Sequence, residues 1–382
     1  MSGQVDPEHP LADVRERLDA IDRDLLALLQ SRNRLIGEVI AAKIERQLPI
    51  FDGAREDAKI ARFRSEAVER DLDPDWAEDF LRMVMSSSRA RQSQGRFPRS
   101  QGALRRVLLV GGGGSMGSLY RRMLERSGHQ VLVLERDDWA HADSLAADVD
   151  LAIVSVPIAD TCVVIRRLAP HLPPGSTLAD FTSTKRGVIE TMLEVHPGPV
   201  LSLHPMHGPD AGSLGRQLML YCAARGSGSG SGDWFIEQCR LWGMRTAPIA
   251  ADAHDRVMHQ IQGLRHFSTL LHGAFLRQSG LRPDDLLQHS SPVYRMELAM
   301  TARMFAQDPR LYADIVLADP ERRQLLLDYL QLQQDFARMV ADNDRESFVR
   351  EFRDVTAFFG DYADRARNES AYLIDRLSER FA

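Results

Sequence analysis

Between Leu11 and Ile44 the chain contains no proline and one glycine, Gly37. Apolar residues recur there at helical spacing: Leu11, Val14, Leu18, Ile21, Leu25, Leu28, Leu29, Leu35, Val39 and Ile40. The pattern predicts one helix of about 50 Å, at ~1.5 Å of rise per residue. A helix that long cannot bury its stripe inside a small monomeric domain, so the stripe argues for packing against another chain. Pro49 ends the region. Two shorter helices follow near 53–70 and 74–92, with Asp73-Pro74 as an N-terminal signal. Residues 93–102 (SQGRFPRSQG) read as a linker, which bounds a helical domain over 1–92.

From residue 105 the pattern changes to short apolar runs alternating with helical ones. Val107–Val110, Val131–Glu135, Leu151–Val156, Thr177–Phe181, Val200–His204 and Leu218–Ala224 read as strands. Such alternation implies a mostly parallel, doubly wound α/β sheet over 103–250. The run GSGSGSG at 226–232 reads as a surface loop without function. Beyond about 250 the strands stop, and long helical segments make 251–382 all-α.

A net charge of −6 gives no support to nucleic acid or a membrane surface as partner. No apolar run is long enough to span a bilayer. The opening MSGQVDPEHP does not read as a secretory signal, and Cys162, Cys222 and Cys239 are too scattered for a disulfide framework or a zinc site. A cytoplasmic chain with reduced thiols is the expectation. Lysine occurs only at Lys43, Lys59 and Lys185 among 48 basic residues. In so arginine-rich a chain a single arginine says little, whereas each retained lysine asks for an explanation.

Gly112-Gly113-Gly114-Ser115-Met116-Gly117 fits G-x-G-x-x-G between a strand and a helix. The glycines let the backbone approach a pyrophosphate at a helix N-terminus, where free amides and the helix dipole favour anions. Glu135 closes the next strand 18 residues after Gly117, where an acid would bind a ribose 2′-hydroxyl. That carboxylate would repel a 2′-phosphate, so NAD is expected rather than NADP, a preference Arg136 tempers. In an open sheet the ligand lies outside the carboxyl ends of the strands. Three polar residues fall there: Ser155, Ser183 and His204. Ser155 fits cofactor contact or simple lining of the cleft, and His204 fits a structural role as well as a chemical one.

At this point the motifs become familiar. VGGGGSMG, IVSVPI, DFTSTK, LHPMHGPD, LRHF and SSPVYRMELAMTARMFAQDPRLYADI resemble the dehydrogenase part of the bacterial bifunctional chorismate mutase/prephenate dehydrogenases, from about 105 to 375. The resemblance implies a Rossmann domain followed by a helical dimerisation domain. It also implies oxidative decarboxylation of prephenate to 4-hydroxyphenylpyruvate with NAD as hydride acceptor. His204 matches the histidine that takes the proton of the ring hydroxyl, a task suited to neutral imidazole. Ser183 matches the serine that also bonds this hydroxyl. Arg303 matches the arginine that grips the ring carboxylate, with His266 and Arg295 near the substrate or supporting the site. Lys185 falls just after Ser183, at a place that fits either the pocket or an exposed helix start. The family commonly reads HPMFGP, whereas this chain has His207. His204-x-x-His207 raises a metal reading, but no third ligand stands at convincing spacing, and no metal is expected.

Within the N-terminal helices, Arg32 and Lys43 lie three turns apart on one face, separated by about 16 Å. Arg15 is turned about 100° away and lies about 25 Å from Arg32, so it reaches the same small molecule only from a neighbouring chain. Ser88 and Gln92 share a face of the third helix, and Asp52, Arg55 and Glu56 open the second. This set resembles the all-helical intertwined-dimer chorismate mutases over 11–92. The resemblance implies that Lys43 and Gln92 aim at the breaking ether oxygen of chorismate. Arg32, with Arg15 of a second protomer, clamps its carboxylates and Ser88 assists. Glu56 accepts from the substrate hydroxyl, and Asp52 and Arg55 line the pocket. A homodimer making and then consuming prephenate follows, with tyrosine as its expected feedback inhibitor. Two other readings stay open: a dehydrogenase preferring arogenate, and a helical part that serves only for dimerisation or ligand sensing.

Overall fold

The computed structural model describes residues 9–49, 52–92, 95–226 and 232–381. Most of the loop read at 226–232 lies outside them. The chain forms two compact units, one from 1–156, 160–182 and 187–249, the other from 157–159, 183–186 and 250–382.

The first unit opens with three helices. α1 (His9–Glu45) is one continuous helix, as its proline-free periodicity requires. α2 (Gly53–Val68) starts where the Asp52 carboxylate accepts from the Arg55 N–H at 3.1 Å. α3 (Pro74–Gln92) starts where Asp73 accepts from the Asp75 N–H at 2.8 Å. α2 and α3 pack through Ile60, Leu81 and Met85, with Phe63 alongside. Arg64 clamps the pair by reaching Asp75 at 2.6 Å and Glu78 at 2.7 Å. This small core leaves most of the α1 stripe uncovered; Leu18 is 55% exposed, Ile21 62% and Leu28 67%.

The sheet follows: β1 (Arg106–Val110), α4 (Ser115–Arg126), β2 (Gln130–Leu134), α5 (Ala142–Ala146), β3 (Leu151–Val154), α6 (Ile158–Leu168), β4 (Thr177–Asp180), α7 (Arg186–Val195), β5 (Val200–Pro205), β6 (Leu218–Arg225), α8 (Asp233–Leu241) and β7 (Arg245–Pro248). Strand order is β2-β1-β3-β4-β5-β6-β7. Every pairing is parallel except β5 with β6, where the chain returns without a crossover helix. Central strands such as β3 are buried along their whole length, which explains their unbroken apolar runs. β7 has the sequence RTAP and half-exposed residues, and it carries no apolar signature of a strand. As an edge strand it tolerates Pro248.

The connection from α3 to β1 is held against this unit. Phe97 joins the main core, the Ser100 N–H donates to Gln238 at 3.0 Å, and the Ser100 hydroxyl donates to the Trp234 carbonyl at 2.8 Å. Ile40 and Ile44 of α1 pack against the same core.

The second unit is helical: α9 (Ala251–Met258), a π-helical segment (His259–Leu264), α10 (Arg265–Gln278), α11 (Pro283–Gln288), α12 (Pro292–Phe305), α13 (Pro309–Val316), α14 (Pro320–Ala341), α15 (Arg345–Phe359) and α16 (Asp361–Phe381). Proline opens α11 to α14, and Ser291, Asp308 and Asp319 cap three of these starts with their side chains. The π segment, which periodicity does not reveal, brings Gly263 against the buried Arg322; a Cβ there would meet Arg322 Cδ at 2.9 Å. Among the described residues no helix is long and apolar enough to cross a membrane.

Candidate active sites

β1 lies between β2 and β3, so the chain winds outward in both directions from the turn that follows it. A crevice opens at such a point, outside the carboxyl ends of the strands. The tight turn itself falls on Gly111, at φ +79, one residue before the motif read from the sequence. A Cβ on Gly111 would meet the Ser155 carbonyl oxygen at 2.5 Å, and a Cβ on Gly117 would meet the Gly111 carbonyl oxygen at 2.5 Å. Glycine at both positions therefore lets helix and strand close on one another. Gly112 faces the Val133 side chain, and Gly114 is the N-cap of α4, which Ser115 and Met116 open. Met116 is half-buried and packs against the core.

The free amides at this helix start suit an anion. Glu135, just past β2, accepts from the Gly113 N–H at 2.6 Å. Its carboxylate thus lies beside the turn on the β2 side, within reach of a ribose held there. Ser155 follows β3 on the other side, where its N–H extends the ladder to Val110. The turn, Glu135 and Ser155 fit a dinucleotide with its pyrophosphate at α4. If the adenosine half lies toward Glu135, the other half must lie over β3, β4 and β5.

His204 stands at that side, near the carboxyl end of β5 and 3% exposed. It lies three strand spacings from β1, about 14 Å in the plane of the sheet. Its backbone pairs with β6, Leu220 being its partner in register, just past the Asp180–Ser202 pair that ends the pairing with β4. Ahead of it, Ser202 donates from its hydroxyl to the buried Asp180 carboxylate at the end of β4. Asp180 also accepts from the Thr182 N–H at 2.9 Å and from the Thr182 hydroxyl. The two strand ends are thereby locked together.

His207 is spoken for. Its Nδ1 faces the Gly208 carbonyl at 3.0 Å and must carry the hydrogen. Nε2 is left to accept from the Tyr120 hydroxyl at 3.1 Å. Burial holds this imidazole below its ordinary pKa and pushes the Tyr120 phenol well above its own, so both stay neutral.

The segment Ser183–Arg186 belongs to the helical unit. Asp255 accepts from the backbone N–H of Lys185 at 2.9 Å and of Arg186 at 3.0 Å. Burial alone would raise Asp255, but the hydrogen bonds from His254, Arg186 and Lys185 outweigh it and hold the carboxyl below its usual range. Lys185 is fully buried, which rules out the exposed helix start as its place. Ser183 is half-buried in the same segment. His266 follows the π segment and packs edge-on against Tyr312, with ring centroids 4.8 Å apart. Burial, then the charges of Arg265 and Arg322, lower its pKa to about 4, so it is neutral at any working pH. Arg295 donates to the Leu287 carbonyl at 3.2 Å and ties α12 to α11, while Arg303 one helix face on is exposed. Asp255 was not legible as a partner of Lys185, because seventy residues separate them.

Of the helical candidates, Arg32 and Ser88 come into direct contact. Arg32 on α1 donates to the Ser88 hydroxyl on α3 at 2.6 Å, and that hydroxyl donates to the Val84 carbonyl at 2.9 Å. Lys43 is half-buried. Desolvation lowers its pKa, with Asp52, Arg55 and Glu56 the charges that bear on it. The third lysine, Lys59, belongs here too: burial lowers it, and Arg32, Arg55 and Glu56 act on it. Its retention in a lysine-poor chain was the signal that could have found it. Arg15 is exposed on α1. Gln92 ends α3, and its side chain lies outside the described residues.

Comparison with known proteins agrees with this division. Family models match for chorismate mutase type II over residues 14–93, the prephenate dehydrogenase nucleotide-binding domain over 129–221 and the prephenate dehydrogenase dimerization domain over 250–354. The chain is 41% identical over 364 residues to the T-protein of Enterobacter agglomerans, covering 95% of this chain and 97% of that one. It is 38% identical to the T-protein of Haemophilus influenzae, covering 97% of each. Among solved structures it resembles a prephenate dehydrogenase from A. aeolicus in complex with hydroxyphenyl propionate and NAD+. The TM-score is 0.53 at 16% identity, covering 67% of this chain and 97% of that one, a likeness of fold.

Proposed function

Because the chain belongs to the T-protein family, the bifunctional chorismate mutase/prephenate dehydrogenases of tyrosine biosynthesis, we propose how its own residues divide the two reactions. Residues 1–92 form the mutase domain, 93–102 the link, 103–250 the NAD-binding domain and 251–382 the dimerisation and substrate domain.

The mutase reaction is a rearrangement without proton transfer, so the protein's work is to hold a compact conformer and stabilise developing charge. Lys43 and Gln92 hydrogen-bond the ether oxygen as its bond breaks. Arg32, and Arg15 from a second protomer, hold the two carboxylates, with Ser88 fixing the Arg32 guanidinium. Glu56 accepts from the ring hydroxyl, and Asp52 and Arg55 shape the pocket. Desolvation of Lys43 supports this, since a partly desolvated ammonium interacts more strongly with a nearby oxygen.

In the dehydrogenase reaction NAD, when bound, supplies the hydride acceptor. Gly112, Gly114, Ser115, Met116 and Gly117 hold its pyrophosphate through the backbone, Glu135 its adenosine ribose, and Ser155 lines the cleft. His204 takes the proton of the prephenate hydroxyl through its imidazole, and Ser183 orients that hydroxyl. Arg303 binds the ring carboxylate, with Arg295, His266 and Lys185 supporting the substrate. Loss of CO2 then restores the aromatic ring. The observation that carries this reading is the placement of Glu135 and His204 on opposite sides of the Gly111–Gly117 turn.

The exposed α1 stripe supports a homodimer, because those residues otherwise sit in water. Tyrosine acts as its feedback inhibitor, and three free cysteines accord with the cytoplasm. The test is His204→Asn: NADH formation from prephenate should fall by about 10³-fold while chorismate consumption stays within twofold. Equal loss of both activities in a folded variant contradicts the assignment.

A further inference from the structure

A turn of the sheet domain places a cation against the mutase helices. Arg216 lies in the turn before β6. That turn is fixed on both sides: the Arg216 N–H donates to the Gly243 carbonyl at 2.8 Å, the Arg245 N–H donates to the Gln217 carbonyl at 2.8 Å, and Leu214 is buried in the sheet core. Arg216 itself has φ +68, the left-handed region where glycine is the cheaper residue. Its guanidinium Nη2 lies 3.1 Å from Glu56 Oε2 and 3.9 Å from Asp57 Oδ1. The Glu56 side chain is 17% exposed and that of Asp57 73%, so the closer contact is to the sheltered carboxylate.

We propose that Arg216 is a positioning residue of the mutase site, holding the Glu56 carboxylate in place from the nucleotide-binding sheet. The inference rests on the role assigned to Glu56 above. Lys43 and Lys59 both feel the Glu56 charge. A carboxylate with no fixed partner swings toward whichever ammonium is nearest. If it turned to Lys43, it would leave the ring hydroxyl without an acceptor and occupy the ammonium needed at the ether oxygen. Arg216 anchors the carboxylate through Oε2. A strained backbone position is thus occupied by a long cation in contact with a residue 160 positions away, rather than by glycine. The mutase pocket of this chain is therefore completed by a turn outside the mutase helices.

The experiment uses the full-length protein and Arg216→Gly, a change that relieves the backbone while removing the guanidinium. A hydroxyl acceptor contributes to substrate binding before and during the reaction, so its misplacement appears chiefly in KM. Chorismate KM should rise about tenfold and kcat change by less than about threefold, with both dehydrogenase constants unaltered. Arg216→Lys should recover most of the KM. In a Glu56→Gln background, itself raised in KM, Arg216→Gly should have no further effect. The proposal is overturned if Glu56→Gln raises KM and Arg216→Gly does not, or if Arg216→Gly acts equally in both backgrounds. If Glu56→Gln is itself without effect, the assigned role of Glu56 fails and the proposal falls with it.

Discussion

His204 stands on a strand bonded on both sides, in a sheet whose central members are wholly buried. Lys43 stands on a helix whose apolar stripe is largely in water, in a module whose own core is Ile60, Leu81 and Met85. Backbone ladders fix the first position within one chain. Side-chain contacts surround the second: Ile40 and Ile44 on the main core, Arg32 on Ser88, and Arg216 on Glu56. A single chain thus carries one proposed reactive group that its own fold determines and another that, in the proposed homodimer, a second copy would complete.

The largest effect expected on this contrast comes from Lys43→Ala. Removing a charge aimed at a developing oxyanion should slow chorismate consumption about 10³-fold while NADH formation from supplied prephenate stays unchanged. Because desolvation lowers Lys43, the wild-type mutase rate should also decline toward alkaline pH earlier than an ordinary lysine, near 10.4, would dictate. A rate unchanged in the variant would remove the mutase assignment.

Ile21→Asp tests the helical side less severely. Placed in the middle of the stripe, a carboxylate is tolerated by a lone helix but costs several kcal/mol in a packed interface. Mutase activity should fall at least about tenfold with a shift in sedimentation, and the NADH-forming rate should change far less. Unchanged sedimentation and mutase activity would mean that the stripe is not the interface.

The smallest effect concerns the sheet. His207 is held neutral by burial, its pKa below the ordinary imidazole value. As pH falls below about 6.5 the unfolded chain takes up a proton that the folded chain refuses, so stability present at neutral pH is lost in the acid direction. His207→Phe should flatten the decline of Tm between pH 7 and 5 by about 1–2 °C. An identical decline in the variant would show that the imidazole is not held neutral.

The same contrast governs what was legible in the sequence. β1 and β3 to β5 announced themselves because buried parallel strands must be apolar, the partly buried β2 and β6 because they still carry short apolar runs, and α1 because nothing interrupts its period. β7 did not, since an edge strand of sequence RTAP need not be hydrophobic. The positive φ of the turn falls on Gly111, just ahead of the Gly112–Gly117 motif, and the motif spacing did not single that glycine out. Lys43 and Lys185 stood out against the arginine background. Lys59 stood out equally, and only the folding of α2 beside α1 gave it a place. The π segment under His266 and the Arg216 contact to Glu56 were not legible. The one departs from helical bonding without changing the periodicity, and the other joins segments that only the tertiary fold brings together.

Two independent reactive groups in one chain should complement one another in trans. The most direct test supplies chorismate and NAD to folded Lys43→Ala and His204→Asn proteins, alone and mixed, and follows NADH. Each alone should be nearly silent and the mixture should produce NADH after a lag, as prephenate made by one protein is oxidised by the other. A mixture as silent as its components, with prephenate nonetheless accumulating, would contradict it.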